Sequence, residues 1–290
     1  MAYLNRDGER LFYARAGAGA PALVLVHGFA CEHSDWRHQI DHFSAGHLVL
    51  ALDLRGHGRS GRCRAGFDIA AFGADVAGLI EALALERAVL VGHSMGCRVV
   101  LDAARRVPAA VAGVVLVDGS RQGSGDPDAA ARAVREAMAR AGGARLFVER
   151  MFADMFLASS DPALVERIVA RAATLPAAVA EELFADTVRW DASQAIDALA
   201  TLAAPLLVLQ STRVNERRER EPLPPGGSSP WLELVRENVP AARIEVLSGA
   251  GHFAMLEAPA AVNDHLRAFI DGLDARARPG TRPPGSAAAK

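Results

Sequence analysis

Leu90-Val91-Gly92-His93-Ser94-Met95-Gly96 is the stretch on which the reading of this chain turns. An apolar segment, Ala88-Val89-Leu90-Val91, leads into Gly-x-Ser-x-Gly. Residues 95–107 then follow, apolar at helical spacing and stopped by Pro108. A short unbroken apolar run suits a strand buried on both faces of a parallel sheet. A serine on the tight turn between such a strand and a helix is held where a substrate can reach it. Gly92 and Gly96 are expected to be glycine because a side chain there would meet the turn or the neighbouring strand.

Two more segments end in the same way. Leu23-Val24-Leu25-Val26 runs into His27-Gly28-Phe29, and the strand-like stretch from Arg243 to Leu247 is followed by Gly249-Ala250-Gly251-His252-Phe253. A serine needs a base within hydrogen-bond reach, and the base needs an acceptor that orients it. A histidine about 160 residues after the serine suits a triad whose members meet in space, not in sequence. Together with Asp53-Leu54-Arg55-Gly56-His57-Gly58-Arg59-Ser60, these segments resemble the α/β-hydrolase family over most of the chain. In that resemblance His27-Gly28-Phe29 is the oxyanion loop, Ser94 the nucleophile and His252 the catalytic base. The backbone N–H groups of Phe29 and Met95 are the implied oxyanion donors.

The triad acid departs from the common family pattern. Most members carry it shortly after the strand read at 205–210, where this chain has Val214. Others carry it after the preceding strand, which here ends in Val117-Asp118-Gly119. Asp118 is the favoured acid and Glu216 the runner-up. His27, His57 and His93 read as structural. Cys97, just behind the nucleophile, reads as a small buried apolar residue.

Strands are expected at 22–27, 47–53, 88–93, 112–118, 205–210 and 243–247, after a hairpin over 3–16 with Asn5-Arg6-Asp7-Gly8 as its turn. Helices are expected at 68–84, 95–107 and 259–273. The alternation predicts a doubly wound, mostly parallel sheet, eight-stranded by resemblance, whose ligands lie at the carboxyl ends of its strands. Residues 1–120 and 201–274 form this core. Residues 121–200 read as helices alone, an inserted cap in the family resemblance. Phe152, Met155, Phe156 and Trp190 are candidates for its substrate-facing wall, with Phe147, Met151 and Phe184, although each also suits packing among the inserted helices. Residues 211–230 read as a long polar loop and 275–290 as a disordered tail.

An apolar fraction of 51% allows a large core, and a net charge of −2 gives no reason to expect nucleic acid or an acidic membrane surface. Lys290 is the only lysine. Cys31, Cys63 and Cys97 lack metal-ligand spacing and suit reduced thiols in a cytoplasmic protein. No start resembles a secretion signal, and no apolar run of about 18 residues is present to span a membrane. No motif implies a cofactor or metal. The expected function is cofactor-free hydrolysis of an ester, thioester or lactone of a small apolar molecule. The same residues also suit a carbon–carbon bond hydrolase, a perhydrolase, or a small-molecule sensor that keeps the triad.

Overall fold

The apolar runs read in the sequence become the middle of one sheet. The computed structural model describes residues 2–61, 66–215 and 220–277. In chain order the strands are β1 (Ala2–Arg6), β2 (Glu9–Ala16), β3 (Ala22–Val26), β4 (Val49–Leu52), β5 (Ala88–His93), β6 (Val111–Val117), β7 (Leu206–Gln210), β8 (Thr212–Val214), β9 (Arg220–Pro222) and β10 (Arg243–Val246). Eight of them form a sheet in the order β1-β2-β4-β3-β5-β6-β7-β10. β1, β2 and β4 pair antiparallel; the other neighbours pair parallel. β3, β5 and β7 are buried along their whole length, as covered parallel strands must be. The β1–β2 turn is narrower than the four residues read for it. Asp7 and Gly8 alone join the strands, both at positive φ (51° and 79°), the backbone a two-residue hairpin turn requires.

The helices are α1 (Arg37–Phe43), α2 (Ile69–Ala82), α3 (Gly96–Arg106), α4 (Pro127–Arg140), α5 (Ala144–Ala153), α6 (Pro162–Ala172), α7 (Ala177–Ser193), α8 (Ala195–Ala200), α9 (Pro230–Asn238), α10 (Ala254–Glu257) and α11 (Pro259–Ala277). Asp126-Pro127 and Asp161-Pro162 open α4 and α6. Each aspartate accepts from a first-turn N–H, and each proline occupies a position whose N–H needs no partner.

The five helices α4–α8 lie between β6 and β7 in sequence, where helices alone were expected. α4 packs on α7, and α5 on both α6 and α7. Two arginine–aspartate pairs help tie this insert to the core. Arg98 of α3 holds Asp191 of α7 through Nε and Nη2 at 2.7 and 2.6 Å. Arg171 of α6 holds Asp35 through Nη1 and Nη2 at 2.8 and 2.6 Å. Such two-point guanidinium–carboxylate contacts fix orientation as well as distance.

Three expectations change. Residues 211–230 are not one loop, because β8 pairs antiparallel with β9 and α9 begins at Pro230. Helix α11 continues to Ala277, so residues 275–277 are helical and not tail. Helices α1, α9 and α10 were not foreseen. Cys63, Glu216 and residues 278–290 lie outside the described residues.

Candidate active site

The strand order decides where the site can be. The chain crosses from β3 to β4 on one side, then returns to place β5 on the other. A crevice opens beyond the carboxyl ends of strands at such a reversal. His27-Gly28-Phe29 follows β3 there, and Ser94 follows β5. Ser94 has φ 55°, a left-handed backbone that a residue with a side chain adopts only under constraint. Its N–H donates to Val117 O at 2.9 Å. A Cβ on Gly96 would lie 2.5 Å from Val26 O, and one on Gly92 would strike the Gly96 carbonyl. Both glycines are therefore required by contact, as the sequence implied.

Ser94 Oγ is 2.8 Å from His252 Nε2, and His252 Nδ1 is 2.6 Å from Asp118 Oδ2. The network assigns the tautomer. Nδ1–H donates to the carboxylate, which leaves Nε2 free to accept from the hydroxyl. His252 is pinned by its backbone, with N–H to Met155 O at 3.0 Å and O accepting from His93 Nε2 at 2.9 Å. Asp118 shares the left-handed backbone, at φ 45°.

The hairpin missed in the sequence supplies the acid's other partners. Asp118 Oδ1 accepts from the N–H groups of Ser211 and Thr212 at 2.8 and 2.7 Å. Its Oδ2 accepts from Thr212 Oγ1 at 2.5 Å and from Arg220 Nη1 at 3.2 Å. The segment in which most relatives carry the acid here carries donors to it. Burial pushes the His252 imidazole down to about 4, with the Arg220 charge adding and the Asp118 bond opposing. Burial by itself would raise Asp118. The His252 hydrogen bond and the charges of His252 and Arg220 reverse that and hold it at about 2. At neutral pH the pair is a carboxylate and a neutral imidazole, the state a general base needs.

Among the described residues, the backbone N–H groups of Phe29 and Met95 donate to no protein acceptor. Ala30, beside Phe29, is a further left-handed residue at φ 52°, and its N–H donates to His57 Nε2 at 3.3 Å. His27 bridges Gly28 O and the Leu54 N–H. His27, His57 and His93 are thus all engaged in holding backbone. Cys97 is buried with its thiol pushed up to about 12 by burial, and it donates to Gly92 O. No group of three His, Cys, Asp or Glu side chains among the described residues could hold a metal ion. No described helix is long and apolar enough to cross a membrane.

A cavity of about 300 Å³ opens onto Ser94 between the core and the insert. Phe147, Met151, Met155 and Phe184 line it, with Phe29 and Met95. Three expected wall residues do not. Phe152 is 1% exposed and packs toward Phe29 and Phe253; Phe156 stacks on Phe253 with ring centroids 5.1 Å apart; Trp190 is buried away from the cavity. On α5 and at its C-cap, residues 147, 150, 151 and 154 share the cavity face while Val148 and Phe152 turn from it. Arg98, Arg150, Asp154 and Arg220 are charged wall residues that the sequence reading passed over. Arg150 and Asp154 had a signal, the spacing they share with Phe147 and Met151. Arg98 and Arg220 had none, since their partners are remote in sequence.

A model of the alpha/beta hydrolase family matches residues 23–265. Epoxide hydrolase A of Mycobacterium tuberculosis is 44% identical over 104 residues, which is 34% of this chain and 32% of that protein. A non-heme chloroperoxidase of Streptomyces lividans is 44% identical over 115 residues, 38% of this chain and 41% of that protein. Both matches span less than half of the relative's length. A thermophilic esterase from Thermogutta terrifontis superposes with a TM-score of 0.76 at 24% identity, over 94% of this chain and 98% of its own. The eight-stranded sheet, the strained serine at its switch point and the family match over residues 23–265 agree, and the chain belongs to the alpha/beta hydrolase family.

Proposed function

We propose that this protein is a serine hydrolase that cleaves a carboxylic ester, thioester or lactone through an acyl-enzyme on Ser94. One observation carries the reading: Ser94 Oγ, His252 and Asp118 form a continuous hydrogen-bonded line at the wall of the cavity. In the proposed reaction Ser94 Oγ attacks the substrate carbonyl while His252 Nε2 takes its proton. Asp118 stabilises the imidazolium without itself being protonated. The Phe29 and Met95 N–H groups meet the oxyanion. The carbon–oxygen (or carbon–sulfur) bond to the leaving group breaks, and His252 returns the proton to it. Water, deprotonated by the same imidazole, then attacks the acyl-serine and frees the acid. The inserted helices α4, α5 and α7 supply the outer wall of the cavity and reduce the access of bulk water to the reacting groups.

Relatives of this chain include an epoxide hydrolase, and the nucleophile separates the two chemistries. A serine alkoxide that opened an epoxide would leave an ether, which water and a histidine do not cleave. A serine attacking a carbonyl leaves an ester, which they do. A time course on 4-nitrophenyl acetate tests the proposal. The wild type is expected to turn over continuously, with Asp118→Asn slower by about 10⁴-fold because the amide favours the wrong imidazole tautomer. One burst per protein molecule followed by a stall would instead mark a sensor. Full activity in Asp118→Asn would move the acid elsewhere.

A further inference from the structure

Arg220 stands between the triad and the cavity. Its side chain is 9% exposed. Its Nη1 donates to Thr212 Oγ1 at 2.6 Å and to Asp118 Oδ2 at 3.2 Å. No described residue accepts from its Nε or Nη2, and the residue lines the cavity. A guanidinium offers five N–H donors in one plane, and the Nε and Nη2 donors of Arg220 are open to the cavity and not sealed in protein. Arg98, on the same wall, shows the satisfied alternative. Its Nε and Nη2 engage Asp191, and its remaining donors reach the carbonyls of Ser94 and Ser120. Arg98 is a strut. Arg220 is half used, with its unused side in the substrate space.

The local charge points the same way. Asp118 is one carboxylate facing both His252 and Arg220, so the guanidinium offsets the negative charge that would stabilise the imidazolium. An anion received by Arg220 would restore that charge when substrate is bound. Arg150, also on the wall, has no acidic partner among the described residues, and Asp154 is the one carboxylate among the lining residues. The rest of the wall is mostly Phe, Met, Val and Ala, with the uncharged polar Ser94, Ser120, Gln122 and Thr187.

We propose that Arg220 receives a carboxylate on the substrate, so that the preferred substrates are esters, thioesters or lactones with an apolar body and a free carboxylate. The inference rests on the acyl-transfer reading of Ser94 for its kinetic consequence, but not for binding. A planar carboxylate matches the guanidinium edge through two parallel hydrogen bonds.

The test has a binding arm and a kinetic arm. In Ser94→Ala, calorimetry compares monomethyl glutarate, an anion, with neutral dimethyl glutarate. The anion is expected to bind ~10-fold or more tightly, as a charge-assisted hydrogen bond implies. Adding Arg220→Gln should abolish the difference, and Arg220→Lys should keep part of it. In the wild type, the ratio of kcat/KM for mono(4-nitrophenyl) glutarate over 4-nitrophenyl pentanoate should likewise exceed ~10. Arg220→Gln alters the rates of both esters, because Arg220 also touches Asp118, so the ratio is the readout and should fall to about one. A wild-type ratio at or below one with no binding preference overturns the proposal, and needs no Arg220 variant. So does a ratio unchanged in Arg220→Gln. If neither ester is hydrolysed but the Arg220-dependent binding preference remains, the anion site stands and the acyl-transfer reading falls. If Ser94-dependent hydrolysis proceeds without charge preference, the reverse holds.

Discussion

Ala30, Ser94 and Asp118 are not glycines, yet each holds φ between 45° and 55°. Such positions cost on the order of 1–3 kcal/mol and persist where the surroundings enforce them. Here they fall beside a proposed oxyanion donor, on the proposed nucleophile and on the proposed acid. Asp118 gains most from this, since a plain loop aspartate would not need a strained backbone and five hydrogen-bond donors. The electrostatics of His252 carry a kinetic prediction. Burial leads in pushing its pKa from 6.5 down to about 4, and Arg220 and Arg98 add to it against Asp118. His93, whose ring lies tilted to that of His252 with centroids 4.7 Å apart, is itself neutral, held at about 3 by its burial. The base is active when unprotonated, so a lowered pKa extends activity toward acid. For a neutral ester, kcat/KM at pH 5.5 should stay within about twofold of its value at pH 7.5. A fall of about tenfold, which an unshifted histidine would give, contradicts this environment.

At the scale of elements, α5 shows what a sequence can and cannot disclose. Its existence was legible from periodicity, as were the sheet strands and the insert. Its orientation was not, because Phe147 and Met151 on one face and Val148 and Phe152 on another are equally apolar. Only the neighbouring helices decide which face meets the cavity. Asp118 was legible because it ends an apolar strand beside a glycine. Thr212 and Arg220, its partners, were not, because strands of three residues, Thr-Arg-Val and Arg-Glu-Pro, are too short to leave a period-2 pattern. The two faces of α5 should separate in mutants. Met151→Ala and Phe147→Ala are expected to shift preference toward longer acyl chains with little loss of stability. Phe152→Ala should cost about 3–5 kcal/mol and leave the chain-length profile nearly unchanged. Thermal melts and kcat/KM over acetyl to octanoyl esters check this, and a Phe152→Ala profile shifted like that of Met151→Ala would contradict it.

The whole molecule carries four buried neutral histidines, His27, His57, His93 and His252, each held well below 6.5 chiefly by burial. The unfolded chain protonates them near 6.5 while the folded one resists until pH 3 to 4. Stability is therefore full above about pH 6.5 and falls as pH drops from there. Each histidine contributes about 1.4 kcal/mol per pH unit, against a typical total of ~5–15 kcal/mol. Asp75 and Asp186, raised by burial, oppose this only near the carboxylate range. The melting temperature should drop by roughly 10 °C or more between pH 7 and pH 5; a flat profile would mean these rings are more accessible than their packing indicates. The same packing that excludes water from the histidines sets Ser94 at the switch point of the sheet, and the account stands or falls on that serine. Its most direct test is mass spectrometry of protein rapidly quenched in acid during turnover of saturating 4-nitrophenyl acetate. A single acetyl group is expected, mapped to the peptide bearing Ser94 and absent in Ser94→Ala. Turnover with no adduct on that peptide, or undiminished turnover in Ser94→Ala, would contradict it.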